Sequence, residues 1–230
     1  MLILIDGDIV AYRCGFATEN ERAKSACNTT GAYLAEMLTD LCSRFGLDAD
    51  ELNYQVFLTG STNFRNDVAV TAPYKGNRKA TPKPKHLQAI RDYLVTQWDA
   101  IISDNEEADD LIAIWATDDE AVIASLDKDF DQVPGQHYNF VKKELYNVTD
   151  NEAVRFFYTQ LLTGDRVDNI IGLKGIGPVK AAKALADLTT DIEMYNKVVE
   201  MYDGDKVRVL ENARLLWLRR TPGEMWEAPE

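Results

Sequence analysis

Apolar residues recur along the chain with two different spacings. Residues 2–5 form a continuous apolar run that stops at Asp6-Gly7-Asp8, the pattern of a strand buried on both faces of a parallel sheet. Residues 54–58 repeat it, and residues 120–126 repeat it again around Ala121-Val122-Ile123-Ala124. Helical spacing appears between these runs. Leu34, Met37, Leu38, Leu41 and Phe45 predict a helix over 32–45, a second helix is expected over 86–97, and Ala108, Leu111, Ile112 and Trp115 predict one over 107–117. Residues 60–86 read as irregular, broken by Gly60, Pro73, Gly76, Pro82 and Pro84. From Asp150 to Leu218 the pattern is helical with no strand, and residues 221–230 read as a tail, with Trp217 and Trp226 expected to pack on the core. Strands alternating with helices imply an α/β fold with a mostly parallel sheet over 1–149, followed by a helical part over 150–230.

The chain has 230 residues, 46% hydrophobic and 27% charged, enough to bury a sizeable core. Its net charge of −13 excludes a uniformly basic nucleic-acid coat protein. No apolar run approaches the ~20 residues that span a membrane, and the N-terminal run meets a carboxylate too soon for a signal peptide. Cys14, Cys27 and Cys42 show no CxxC spacing, so neither disulfides nor a zinc knuckle is expected, and a reducing cytoplasm fits.

The acids gather where strands end or helices begin: Asp6 and Asp8 after the first run, Glu106, Glu107, Asp109 and Asp110 at a helix start, Asp127, Asp129 and Asp131 after the third run, and Asp165 and Asp168 in a later turn. In a parallel sheet such positions converge beyond the carboxyl ends of the strands. Converging carboxylates repel unless cations join them, and hard oxygen ligands select Mg²⁺ or Mn²⁺. Two such ions about 4 Å apart serve phosphodiester hydrolysis. The helix dipole and turn chemistry also favour acids at these places, but three clusters in register with the strand–helix pattern favour the metal reading.

Residues 65–91 run the other way. They carry Arg65, Lys75, Arg78, Lys79, Lys83, Lys85 and Arg91 against Asp67 alone, an attraction for phosphate, with Phe64 and Tyr74 as candidates to stack on bases. Further on, Gly172-Leu173-Lys174-Gly175-Ile176-Gly177-Pro178 leads into Lys180 and Lys183. The glycines permit close backbone approach, Pro178 suits a first helical turn, and free N–H groups there can meet a phosphate. This is the pattern of a helix–hairpin–helix element that grips DNA backbone without reading sequence.

Five segments in this order resemble the flap endonuclease and 5′-nuclease family, and within it the small 5′-to-3′ exonucleases of tailed phages. They are Ile5-Asp6-Gly7-Asp8, Tyr74-Lys75-Gly76-Asn77-Arg78, Glu107-Ala108-Asp109-Asp110, Asp127-Lys128-Asp129, and Gly164-Asp165-Arg166-Val167-Asp168-Asn169-Ile170 leading into Gly175-Ile176-Gly177-Pro178. The resemblance covers residues 1–185. It implies a PIN-like nuclease domain over 1–149, with a basic arch or loop over about 65–91. A helical part over 150–230 would carry a helix–three-turn–helix at about 163–186. It implies that Asp6, Glu107, Asp109 and Asp127 hold a first metal ion and that Asp110, Asp129, Asp165 and Asp168 surround a second. Lys75 and Arg78 would contact the scissile phosphate, and Tyr74 would lie near the terminal base. Arg65, Lys79, Lys174, Gly175, Gly177, Lys180 and Lys183 complete the expected nucleic-acid contacts. A potassium ion near 172–177 is also implied.

Two departures stand out. The family's Asp after the second strand is absent from Val56-Phe57-Leu58-Thr59-Gly60-Ser61-Thr62, leaving Asp8 or water to compensate, and Pro82 and Pro84 oppose a continuous helical arch over 76–86. The function implied is a Mg²⁺-dependent (two ions, with Mn²⁺ as substitute) 5′-to-3′ exonuclease on duplex DNA with a 5′ end, gap or flap, with flap or RNase H-like activity. It would be a monomer with no membrane and no small-molecule cofactor, cytoplasmic, in the bacterial host if phage-encoded, and standing alone without a polymerase segment. A PIN-type ribonuclease would share the acids but not need the Gly-Ile-Gly-Pro element. A non-catalytic DNA-binding module would have no reason to retain acids in every cluster.

Overall fold

The structure, a computed structural model, describes residues 1–48, 51–80, 82–117 and 121–230. The side chains of Lys79 and Ala80 lie outside that description, as do Glu120 of the third expected strand and Thr81 of the expected arch.

In chain order the elements are β1 (Leu2–Asp6), α1 (Gly7–Ala17), α2 (Ala23–Phe45), β2 (Asn53–Leu58), the short α3 (Arg65–Val68), a 3₁₀ turn (Gly76–Ala80), α4 (Leu87–Gln97), β3 (Ile101–Ile102), α5 (Ala108–Trp115) and β4 (Ala121–Ala124). A second 3₁₀ turn (Lys128–Gln132) leads to β5 (Gly135–Asn139), β6 (Glu144–Val148), α6 (Asp150–Thr163), β7 (Gly164–Asp165), β8 (Ile170–Ile171), α7 (Pro178–Leu185), α8 (Asp191–Met201) and α9 (Lys206–Leu216). These divide into two compact units. The first comprises residues 1–62, 82–130 and 135–147, and the second residues 63–81, 131–134 and 148–230. The division differs from the expected break at 149/150, because residues 63–81 and 131–134 join the helical unit. The basic segment is therefore shared between the units.

In the first unit the strand order is β3-β2-β1-β4-β5-β6. β1 lies parallel to β2 on one side and to β4 on the other, with Ile5 opposite both Val56 and Ala124, and β3 and β5 extend the parallel sheet. Alternation along the strands feeds two faces. Ile3, Ile5, Val56, Leu58, Val122 and Ala124 join Val10, Leu34, Leu41, Ile90 and Leu94 in one core, while Leu4 and Phe57 are buried on the other face, where Phe57 meets the Trp115 ring of α5 at 5.4 Å. The apolar runs of β1 and β4, and the apolar end of β2 at Val56-Phe57-Leu58, are thus covered on both sides, as their composition predicts. Gly7 lets α1 start against the sheet, since a Cβ there would lie 2.6 Å from the Phe57 carbonyl oxygen.

The second unit packs α6, α7, α8 and α9 around Phe157, Leu161, Leu185, Met194, Val198 and Val209. Thr149 with Glu152, and Thr190 with Glu193, form reciprocal caps that fix the starts of α6 and α8. β7 and β8 pair antiparallel, a small hairpin within the stretch expected to hold no strand. The last ten residues have no regular structure yet are fastened down. Glu224 accepts from the N–H of Thr221 at 3.0 Å and from Trp217 Nε1 at 3.2 Å, and Trp226 is buried.

Candidate active site and nucleic-acid interface

The parallel order brings the carboxyl ends of β3, β2, β1 and β4 to one edge of the first unit, with the reversal of strand order between β1 and β4. Asp6 ends β1 and caps α1, its Oδ1 accepting from Ile9 N at 3.0 Å and its Oδ2 from Ser125 Oγ at 2.7 Å. It is 2% exposed. Burial pushes its pKa up to about 7, the Ile9 and Ser125 hydrogen bonds oppose the rise, and the charges of Asp8 and Asp127 add to it. Ser125 also accepts from Asp127 N at 3.0 Å, and Asp127 Oδ1 accepts from Asp129 N at 3.0 Å. One hydroxyl therefore links the acids at the ends of β1 and β4, a role the sequence signals only by a small polar residue closing an apolar run.

Glu107 and Asp110 are both buried at the start of α5, and Asp110 Oδ2 accepts from Glu107 N at 3.1 Å. Asp109 is half-buried beside them. This start is tied to the loop after β2: Ala108 N donates to Thr59 Oγ1 at 3.0 Å, and Gly60 N donates to Ser103 Oγ at 3.0 Å. A Cβ on Gly60 would fall 2.1 Å from the Ser103 carbonyl oxygen, so the loop needs glycine there. Asp8 turns to the same loop. Its Oδ2 accepts from Thr59 N at 2.8 Å and its Oδ1 pairs with Arg91 of α4, which also donates to the Thr59 carbonyl at 2.5 Å. A cationic partner for Asp8, 83 positions away, is invisible to a reading of local pattern.

Among the described residues no group of three or more His, Cys, Asp and Glu stands ready to hold a metal ion as placed. The donor chemistry still fits a hard divalent cation. The side chains are carboxylates, and Asp6 is buried beside two like charges that a cation would offset.

The other two acids belong to the second unit. Asp165 Oδ1 accepts from Val167 N at 2.6 Å and Asp168 N at 3.3 Å, closing a turn on itself. Asp168 Oδ2 accepts from Tyr74 Oη at 2.8 Å, and its Oδ1 pairs with Arg78 Nη2 at 2.5 Å. Three expected nucleic-acid contacts need correction. Arg65 is 1% exposed and donates to the carbonyls of Leu215 at 2.9 Å and Trp217 at 2.7 Å, so it braces the core and offers nothing to phosphate. Tyr74 is buried with Lys75 over its ring, and Phe64 is buried under the Arg219 guanidinium, so neither presents a face to a base. The side chain of Lys79 lies outside the described residues.

The glycine turn is exposed as its chemistry requires. Gly175 takes a φ of 79°, Gly177 caps α7, Pro178 occupies its first turn, and Lys174, Lys180 and Lys183 face solvent. A groove of about 770 Å³ runs along residues 169–177 and is also lined by Asn77, Asp165 and Arg166. No helix among the described residues is long and apolar enough to cross a membrane.

Known proteins share both the fold and the sequence. A bacteriophage T5 flap endonuclease, solved with DNA and metal ions, superposes with a TM-score of 0.69 at 18% identity, covering 94% of this chain and 88% of that one. Flap endonuclease-1 from Methanococcus jannaschii gives 0.55 at 14% identity, covering 96% and 79%. At these identities the likeness establishes the fold. In sequence the chain is 34% identical over 220 residues to a 5′-3′ exonuclease of Mycoplasma pneumoniae, covering 82% of this chain and 72% of that protein. It is 29% identical over 233 residues to DNA polymerase I of Bacillus caldotenax, covering 90% of this chain and 25% of the polymerase. It spans about a quarter of that polymerase and about half, 51%, of the Shewanella flap endonuclease Xni that it matches. A family model described as the 5′-3′ exonuclease, N-terminal resolvase-like domain, matches residues 1–159, and with that match the chain belongs to the 5′-3′ exonuclease family.

Proposed function

We propose that the chain is a divalent-metal-dependent 5′-to-3′ exonuclease on duplex DNA that also acts on 5′ flaps, with Mg²⁺ as the working ion and Mn²⁺ as a substitute. The observation that carries this reading is the buried Asp6 at the strand-order reversal, joined through Ser125 to Asp127 and crowded by like charge. Asp6, Glu107, Asp109 and Asp127 would hold one ion, with Asp110 and Asp129 beside a second. Bound ions would supply an activated water and stabilise the leaving oxygen. The chain's own residues do the rest. Ser125 and Ile9 N hold the Asp6 carboxylate in one orientation. Lys75 and Arg78 offset charge on the phosphate, and the Arg78 side chain is 43% exposed and so within reach of one. Lys174, Lys180, Lys183 and the backbone at Gly175 and Gly177 grip duplex backbone without reading sequence. At the potassium position implied for 172–177, Lys180 Nζ already donates to the Gly175 carbonyl at 2.9 Å, so a cation would compete with that lysine. A monomer in a reducing cytoplasm completes the reading, in keeping with three unpaired cysteines.

The test is cleavage of duplex DNA labelled at the 5′ or the 3′ end, in Mg²⁺ and in EDTA, with a 5′ flap and single-stranded RNA alongside. Metal-dependent release of short products from the 5′ end is the expected result. Cleavage of RNA alone would replace this reading with the ribonuclease one. Tight DNA binding without cleavage in either metal would leave a binding module and point to Thr59 and Gly60, where the loop after β2 carries no acid.

A further inference from the structure

Helix α9 carries a half-buried ion pair that reaches in two directions. Glu211 Oε1 accepts from Val70 N at 2.9 Å and Thr71 N at 2.7 Å, and its Oε2 accepts from Thr71 Oγ1 at 2.6 Å. Arg208, one turn back, donates from Nη1 to Glu211 Oε2 at 3.2 Å and from Nη2 to the Ile171 carbonyl at 2.7 Å. Asn212, 1% exposed, donates to the same carbonyl at 3.0 Å. The helix that carries these three is seated in the core of the second unit through Val209, Ala213 and Leu216.

Both ends of this brace lead to residues read as phosphate contacts. Residues 70–71 run into Tyr74-Lys75-Gly76-Asn77-Arg78, and Ile171 runs into the glycine turn. The two segments also meet each other, Lys75 N donating to the Asp168 carbonyl at 2.9 Å and Asn77 Nδ2 to that of Arg166 at 2.6 Å. The bonds thus close a ring within the second unit, from α9 to residues 70–78, to residues 166–171 and back to α9. Residues 69–75 lie in no helix or strand, so their backbone depends on such side-chain partners for its hydrogen bonds.

We propose that Glu211 and Arg208 are positioning residues for nucleic-acid binding, holding the segment of Lys75 and Arg78 at a set spacing from the glycine turn so that both meet one duplex backbone. This rests on the reading above, in which those residues meet phosphate. Glu211 has the wrong charge to meet a phosphate itself, so its effect on DNA passes through the segment it holds. A loop that must be ordered on binding loses affinity to that ordering, and one already braced does not.

The sign of the effect tests this. Removing a carboxylate from a chain of net charge −13 should by long-range repulsion alone strengthen DNA binding. Duplex affinity is read by fluorescence anisotropy in EDTA, well below the melting temperature, for the wild type, Glu211→Ala, the double variant Lys75→Ala with Arg78→Ala, and all three changes together. The brace predicts the opposite sign, a loss of at least about threefold in Glu211→Ala that disappears once Lys75 and Arg78 are alanine. A gain, or an equal loss in both backgrounds, would overturn the proposal. Hydrogen exchange gives the second readout. Amides of residues 74–78 should exchange faster in Glu211→Ala than in the wild type, and unchanged exchange there would overturn the proposal, since the brace would not reach Lys75 and Arg78. If Glu211→Ala does not fold, Glu211→Gln serves. It keeps an acceptor for the Val70 and Thr71 amides but loses the pairing with Arg208, so a smaller loss of about twofold is expected, and a gain would again overturn the proposal. A wild-type chain that binds no duplex removes the functional reading and this proposal with it, whereas a wild type that binds beside a variant that binds more tightly removes this proposal alone.

Discussion

Arg65 shows how far a residue's type can mislead about its task. Counted with its neighbours it is one of seven cations in a basic segment, yet it is buried and holds the carbonyls that end α9. Arg65→Ala should therefore cost about 3 kcal/mol of stability, because it strands carbonyls that now accept from a charged donor. Urea melts should show the loss, while DNA affinity measured well below the melting temperature stays within about twofold. Glu211 allows a pH prediction of the same kind. Burial pushes its pKa up, but donors from Thr71 and Val70 together with Arg208 outweigh that and hold it below the usual glutamate range. A lowered folded-state pKa means stability that is present above the unfolded value of about 4.3 and lost as pH falls through the folded value. Glu211→Gln should thus cost about 1–2 kcal/mol at pH 7, and the two proteins should converge in stability once the pH has fallen below the folded-state value. A constant difference down to that pH would remove the charge from the explanation. Neither role can be read locally, since Arg65 and Glu211 reach partners about 140 to 150 positions away.

At the scale of elements, apolar runs were legible and glycine-mediated packing was not. β1 and β4 fall where continuous apolar residues placed them, because strands covered on both faces have no polar side to interrupt the run, and β2 is marked by its buried apolar end, Val56-Phe57-Leu58. α1 has no stripe to read. Its buried positions are Gly7, Val10, Ala11, Cys14 and Gly15, and Gly15 is buried by close approach, since a Cβ there would stand 2.6 Å from Pro84. The first turns of α2 lack a stripe for the same reason, being buried through Ala26, Thr30 and Gly31. β5 and β6 are polar strands outside the apolar centre of the sheet and carry little periodic signal. The hairpin of β7 and β8 depends on Gly164, which has φ 68° and would place a Cβ 2.3 Å from the Gly172 nitrogen. Gly164→Ala should destabilise the protein by at least about 3 kcal/mol, left-handed strain adding to a backbone clash. Hydrogen exchange should place the loss in residues 163–177. Wild-type stability in that variant would mean that the hairpin can be rebuilt without the close crossing.

For the whole molecule, the proposed function assigns separate tasks to the opposing charges of an acidic chain, and two variants can separate them. The acids of the sheet edge lie in the first unit, whereas Lys174, Lys180 and Lys183 lie exposed in the second. The sequence made both sets visible, since each is local and dense. It did not make visible which acids would be engaged by cations of the protein itself, because Asp8 with Arg91 and Asp168 with Arg78 are brought together only by the fold. Asp127→Asn should abolish cleavage and leave duplex affinity within about twofold, because an isosteric amide keeps the turn but removes the charge a divalent ion needs. Lys180→Ala should weaken binding uniformly across sequences and reduce the slope of log affinity against log salt by about 1, as expected when one phosphate fewer is neutralised. Its cleavage at saturating DNA should remain close to that of the wild type, because a lysine that binds substrate and transition state equally well lowers KM and leaves kcat alone. Matching losses of binding in both variants would show that the acids and the lysines do not act separately, and that the acid edge contributes to holding DNA as well as to cutting it.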